Sequence, residues 1–332
     1  MCNGCCVPWI SLSDRSELQN RFHSYAYYVA GPFDWLNIAY YSVGAIIFHA
    51  LIQEYILDKL GKKLHLSKSK NAKFNESGQL AVFYAISVGL AVYICYLEDF
   101  FSTPSIIWSD YPQVFHMTLQ KFFFIVQLAY WFHVFPELYL QRIRKEDMSS
   151  HSTYASLYIV FITAGYFMNF SRLALILLSL HYVAELLFHV SRFLKLIDWP
   201  ECTRIMFVLW ALVFISTRFI TGAIAWLALW VGFAKFDVKN IDIKSGNFNT
   251  ATIRAVGLAA ICLLQIWLMW NFINFQLQYY RDSTTSQPPS YLEILEEEHT
   301  PDQGKKKKKR MVESHYDKTG SPRVRQRPAK AK

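Results

Sequence analysis

The chain has 332 residues, of which 53% are hydrophobic, 17% aromatic and 18% charged, and its formal net charge is +9. Ordinary soluble domains carry more charge and less apolar surface than this, so packing in water is excluded as the main solution and the bilayer becomes the natural solvent. Six cysteines, three at the start (Cys2, Cys5, Cys6) and three isolated (Cys95, Cys202, Cys262), form no disulfide framework.

A membrane span needs roughly 20 mostly apolar residues. About seven segments meet that need: 33–57, 79–97, 114–140, 154–170, 173–190, 205–234 and 253–277. None shows the strict alternation of barrel strands, and only helices or closed barrels satisfy the backbone in hydrocarbon. The expected fold is therefore an all-α polytopic membrane protein. Residues 1–32 form an N-terminal segment, 33–281 the transmembrane bundle, and 282–332 a tail whose Pro, Glu and Lys runs are too polar to fold.

Before the first span there is no basic, apolar stretch of signal-peptide type. After it, Lys59, Lys62, Lys63, Lys68, Lys70 and Lys73 mark a basic loop, whereas 98–113 is acidic and holds no Lys or Arg. By the positive-inside rule the basic loop is cytosolic. Alternation then places the 142–145 and 192–204 loops and the tail with Lys305 to Arg310 on the same side. Lys235, Lys239 and Lys244 fall on the opposite side, offset in part by Asp237 and Asp242. The fourth and fifth spans are joined tightly at Ser171 and Arg172. Asn75 and Asn169 match the glycosylation acceptor pattern but face the wrong side or the membrane, so neither is expected to be modified.

Polar side chains inside spans are costly and face the bundle interior. Three helices repeat one spacing: His49 with Gln53 and Glu54, His133 with Glu137, and His181 with Glu185 and His189. Residues four apart share a helical face. Such sets can bind a metal, shuttle a proton or bond helix to helix. The last fits the simpler facts, so no metal and no cofactor is assigned. Arg218 sits mid-span and needs a partner, with Glu185 the obvious candidate. Gln53, His133, Glu137, His181, Glu185, His189 and Arg218 thus outline a polar intramembrane furrow. Pro136 is expected to loosen the end of the third span. No nucleotide loop, nucleophile elbow or zinc-protease motif is present, which leaves soluble-enzyme chemistry without support.

The strings HALIQEYILDK (49–59), KFNESGQL (73–80), QLAYWFHVFPELY (127–139), LHYVAELLFH (180–189), GNFN (246–249) and WLMW (267–270) resemble the TRAM proteins of the translocon. The resemblance implies a TLC-domain fold in the endoplasmic reticulum membrane, usually with eight spans. It implies as partners the Sec channel and nascent secretory and membrane polypeptides. The basic loop with Lys62, Lys63, Lys68, Lys70 and Lys73 suits contact with the ribosome or with membrane lipids, and a topology signal explains the same charges. It also implies an accessory role rather than catalysis. Ceramide synthases share the fold but carry an adjacent histidine pair, and those positions fall here on Tyr154 and Ala155. Their two acidic positions read Tyr182 and Glu185. Acyl transfer is then expected to be lost unless His151 or His181 substitutes, and a lipid-binding role without catalysis remains the other reading.

Overall fold

A computed structural model of the chain describes residues 27–140 and 145–284. The terminal cysteines, Arg142, Arg144 and the basic tail lie outside the described residues. Two units are distinguished, residues 1–142 with 152–269 and residues 143–151 with 270–332, and the packing described below lies within the first.

A short strand β1 (Tyr27–Val29) leads into α1 (Phe33–Ile52). A π-helical turn at Gln53–Leu57 then passes into the short α2 (Asp58–Lys63). Next come α3 (Lys68–Leu97), β2 (Phe115–Met117), α4 (Thr118–Leu140) and α5 (Lys145–Phe167). The last three helices are α6 (Ser171–Leu196), α7 (Pro200–Trp226) and α8 (Ala251–Thr284). Among the described residues, six stretches are long and apolar enough to cross a bilayer: Phe33–Lys63, Lys70–Leu97, Thr118–Leu140, Ser171–Leu196, Pro200–Phe236 and Ala251–Gln278. The remaining long helix, α5, has 23 residues, but its opening run KEDMSSHS is polar. The chain is a multi-pass helical membrane protein.

Two boundaries differ from the sequence reading. Lys59, Lys62 and Lys63 lie on α2, and Lys68, Lys70 and Lys73 on the first turns of α3, so the basic segment is mostly helix rather than loop. The reason is local: the Ser67 hydroxyl accepts from the Lys70 N–H and starts α3 well before its apolar part. Residues 115–117, read as the start of a span, form a strand instead, antiparallel to β1 with Tyr28 opposite His116. β1 offers these groups backbone partners, and the helix begins only at Thr118.

α3 packs along α6, α6 along α7, and α1 along α4. The main core is aromatic, with Phe83, Phe123, Phe124, Tyr166 and Tyr182 buried among the aliphatic side chains of α3, α4, α5 and α6. A second cluster joins Tyr111, Phe170, Ala225, Leu229 and Phe233. The expected tight connection between α5 and α6 is a turn in which Asn169 takes a left-handed φ of 62°, which a short polar side chain tolerates. Close by, a Cβ on Gly165 would lie 2.4 Å from that of Ala174, so the backbones of α5 and α6 meet as small residues permit.

The GNFN segment has a structural explanation. Gly246 takes a φ of 70°, and its carbonyl accepts from the Asn169 amide at 2.8 Å. The Asn249 amide caps Phe233 and Phe236 carbonyls at 2.7 and 2.9 Å. Asp237 is held by Arg254 at 2.7 Å. The exposed Asp242 carboxylate accepts the backbone N–H groups of Lys244 and Ser245, and bonds from Ser245 keep it below the usual carboxylate range.

A buried knot ties this end of the bundle together. Asp34, 2% exposed, opens α1. One carboxylate oxygen meets the Lys121 ammonium at 2.8 Å, and the other accepts from the Tyr166 hydroxyl and the Gly31 N–H, both at 2.9 Å. Beside it His116, with no exposure, lies 3.2 Å from the Ser171 hydroxyl, which also accepts from Gln120 at 3.3 Å. Arg172 pairs with Glu98 at 3.2 Å; burial raises the Glu98 carboxyl and Arg172 opposes the rise.

Burial, aided by the Lys121 charge, pushes the His116 imidazole down to about 4. Between its free value of about 6.5 and that point, the unfolded chain takes up a proton that the folded chain refuses. Stability therefore falls as pH falls through this window, by on the order of 2 kcal/mol at about pH 5. Glu98, shifted upward, works in the opposite sense, so the comparison must isolate His116. The thermal midpoint in detergent is expected to drop further from neutral to about pH 5 in the native protein than in His116→Gln; equal drops refute the assignment.

Candidate functional site

The spacing that drew attention in the sequence selects the right side chains, but the fold pairs them between helices. His49, near the end of α1, places Nδ1 3.2 Å from Glu137 Oε1 on α4. His133, with no exposure, places Nε2 3.1 Å from Glu137 Oε2 and 3.5 Å from His49 Nδ1. Its Nδ1 is bonded to the Tyr130 carbonyl. A carbonyl only accepts, so Nδ1 carries the proton. The helix runs on through Pro136 to Leu140, with Glu137 immediately after the residue that lacks an N–H.

Gln53 and Glu54 do not join this group. The Gln53 side chain turns to α3, where its carbonyl accepts from Gln79 at 3.2 Å, and Glu54 is exposed. The winding is regular up to this point, since the Gln53 N–H still bonds the His49 carbonyl; the extra residue of the π turn lies beyond it.

A second polar group lies among α5, α6, α7 and α8. Buried Arg218 donates to His181 Nδ1 at 3.1 Å and to the Gln265 carbonyl at 3.1 Å. Its direct partners are thus a histidine and an amide in place of the expected Glu185. Glu185 interacts with the guanidinium through charge and lies 3.7 Å from His181 Nε2. Since arginine only donates, His181 Nδ1 presents its lone pair and Nε2 carries the ring proton, within 2.6 Å of the Tyr158 hydroxyl. Neither nitrogen is free to act as a general base.

Between the two groups stands a wall of rings: Phe83 stacked on Tyr130 and Trp131 stacked on Tyr158. Through the wall runs a polar chain that sequence reading missed. The Trp131 indole donates to the Tyr182 hydroxyl at 3.3 Å, Tyr182 donates to the Gln127 carbonyl at 2.8 Å, and the Gln127 amide donates to the Ser87 hydroxyl at 2.9 Å. These residues are 40 to 55 positions apart in pairs, so periodicity held no sign of them. Its use of Tyr182 was legible only as a departure from the ceramide-synthase pattern. His189 stands apart, buried and stacked on Tyr84. At the pair positions Tyr154 is half-buried and Ala155 fully buried; neither supplies a base. Lys62, Lys63 and Lys70 are exposed and Lys73 is half-buried, while the Lys68 side chain lies outside the described residues.

Residues 73–274 match the TLC domain of the TRAM, LAG1 and CLN8 proteins. Translocating chain-associated membrane protein 2 from Mus musculus is 45% identical over 256 residues, spanning 77% of this chain and 69% of the relative. The Homo sapiens protein of the same name is 46% identical over 257 residues, with the same coverage. This chain belongs to the TRAM family of TLC-domain proteins. More distant is the sphingosine N-acyltransferase lac1 of Schizosaccharomyces pombe, 21% identical over 80% of this chain and 73% of its own. The TRAM strings read in the sequence coincide with the parts just described: 49–59 carries His49 and the π turn, 127–139 the His133–Glu137 pair, and 180–189 the His181 group.

Proposed function

We propose that this TRAM-family protein is a non-catalytic accessory of protein translocation in the endoplasmic reticulum membrane. It sits beside the Sec channel, contacts signal sequences and nascent transmembrane segments, and assists their insertion. The observation that carries this reading is the identity of 45–46% with proteins named for association with the translocating chain. Two details support it. The positions of the ceramide-synthase histidine pair hold Tyr154 and Ala155, and His181, one of the two histidines considered as a substitute, has both nitrogens engaged. A helix face also stands ready for an apolar guest: α8 leaves Leu263, Ile266 and Trp270 more than 60% exposed.

In this reading an apolar segment leaving the channel lies along exposed α7 and α8, and its occasional polar group meets the half-exposed His181–Glu185–Gln265 edge rather than lipid. Gln53, His133, Glu137 and His189 keep the helices in place. The basic α2 and α3 segment faces the cytosol together with the C-terminus, where Lys62, Lys63, Lys68, Lys70 and Lys73 meet ribosomal RNA or anionic headgroups.

Photocrosslinkers placed at Glu185, at Gln265 and on the exposed face of α8 test this in microsomes carrying a stalled, weakly hydrophobic signal sequence. Adducts to the signal at these positions are expected, fading when the signal is made uniformly apolar. If no nascent chain is captured while sphingolipid or sterol co-purifies with the protein, a lipid-binding role replaces this one. That alternative draws on the TLC domain shared with sphingosine N-acyltransferases.

A further inference from the structure

We propose that His49, His133 and Glu137 form a binding site for one divalent transition cation of the zinc class, joining the ends of α1 and α4. Among the described residues, these three are the set whose imidazole and carboxylate donor atoms gather within 4.8 Å of one another. His133 Nε2 and His49 Nδ1 lie 3.5 Å apart, close to one edge of a tetrahedron, and each faces a different oxygen of the Glu137 carboxylate, at 3.1 and 3.2 Å. Donors about 2.0–2.1 Å from an ion at tetrahedral angles lie about 3.3–3.4 Å apart.

Protonation points the same way. His133 Nδ1 spends its proton on the Tyr130 carbonyl, so the neutral ring turns a bare Nε2 lone pair on Glu137 and His49. A carboxylate has only lone pairs to offer in return. Without a cation, the contact requires an extra proton, on the ring or on the carboxyl facing it, beside a side chain that has no exposure; an ion between the three groups accepts a lone pair from each. The N–H to carbonyl bond behind His133 is also the outer support that holds a metal-bound imidazole in one tautomer and orientation. The second nitrogen of His49, Nε2, is buried with no hydrogen-bond partner. With Nδ1 on the ion, Nε2 carries the ring proton.

Two imidazoles and one carboxylate suit zinc-like ions, whereas magnesium and calcium take oxygen ligands and copper(I) prefers thiolates. Glu137 is the least enclosed of the three, its side chain 20% exposed, so the fourth position opens on its side and takes a water. The ion would act as a staple where both helices are weak, one just before a π turn and the other at a proline inside the helix. Grouping histidines within single helices hides this set, because His49 is 84 positions from His133.

The full chain, purified in detergent without a polyhistidine tag and stripped with chelator, is titrated with Zn²⁺ and Co²⁺. Uptake of about one ion per chain is expected, with the visible absorption of four-coordinate cobalt, an imidazole signature in X-ray absorption and a raised thermal midpoint. His49→Gln and Glu137→Gln are each expected to weaken uptake by at least about tenfold, as losses in a metal shell do. The control His65→Gln, at an exposed histidine, leaves it unchanged. Should both site variants misfold, the native cobalt and absorption spectra still decide. No uptake by the native protein, a bound ion without imidazole, or uptake that survives both substitutions overturns the site.

Discussion

Replacing Asp34 by alanine is expected to destabilise the fold by about 3–5 kcal/mol, the cost of leaving one partner of a buried ion pair alone. The Tyr166 hydroxyl and the Gly31 N–H lose their acceptor, and the Lys121 ammonium loses its counter-charge, keeping only the Val29 carbonyl at 2.7 Å. Lys121 is only 16% exposed at its side chain, so water restores little. Asp34→Asn keeps an acceptor for Tyr166 and Gly31 but leaves the ammonium uncompensated, and should recover only part of the loss. Thermal unfolding of the purified variants in mild detergent measures both. An alanine variant within about 1 kcal/mol of the native protein would show that the knot is already solvated.

The second large effect is expected at Arg218. Arg218→Leu removes the donor to His181 and Gln265 and strips Glu185 of its nearby positive charge, for a loss of about 3–5 kcal/mol. The informative variant is the double one. With the arginine gone, Glu185→Gln no longer discards a favourable attraction; it removes an uncompensated carboxylate, so Arg218→Leu with Glu185→Gln should be more stable than Arg218→Leu alone. In the native background the same Glu185→Gln should be neutral or destabilising, giving a coupling of about 1 kcal/mol or more. Additive effects would mean that the two charges do not act on each other.

These expectations mark where sequence reasoning reached and where it stopped. The spans are legible because the bilayer demands an apolar run of a set length, and 33–57 or 173–190 announces itself by composition. Helix α5 is harder, since its polar opening turns are helical without being apolar. The β1–β2 pair is invisible, because three-residue strands 85 or more positions apart have no periodicity of their own. At the site, a spacing of four found His133 with Glu137 and His181 with Glu185, both real contacts along one helix. What it cannot carry is the partner on another helix: His49 for the first pair, Arg218 and Tyr158 for the second. Asp34 passed unremarked because an acidic residue in the first turn of a helix looks like an ordinary cap.

The π turn at Gln53–Leu57 also bears on how relatives of this protein are to be compared. Such a turn holds one residue more than the regular helix around it, and each residue of an α-helix advances by about 100°. Deleting a single residue there returns the segment to regular winding while His49 keeps its place towards α4. The same deletion a turn earlier would swing His49 out of its position. A one-residue gap in an alignment therefore belongs at 53–57, and family members that lack the extra residue should still present the histidine upstream of it.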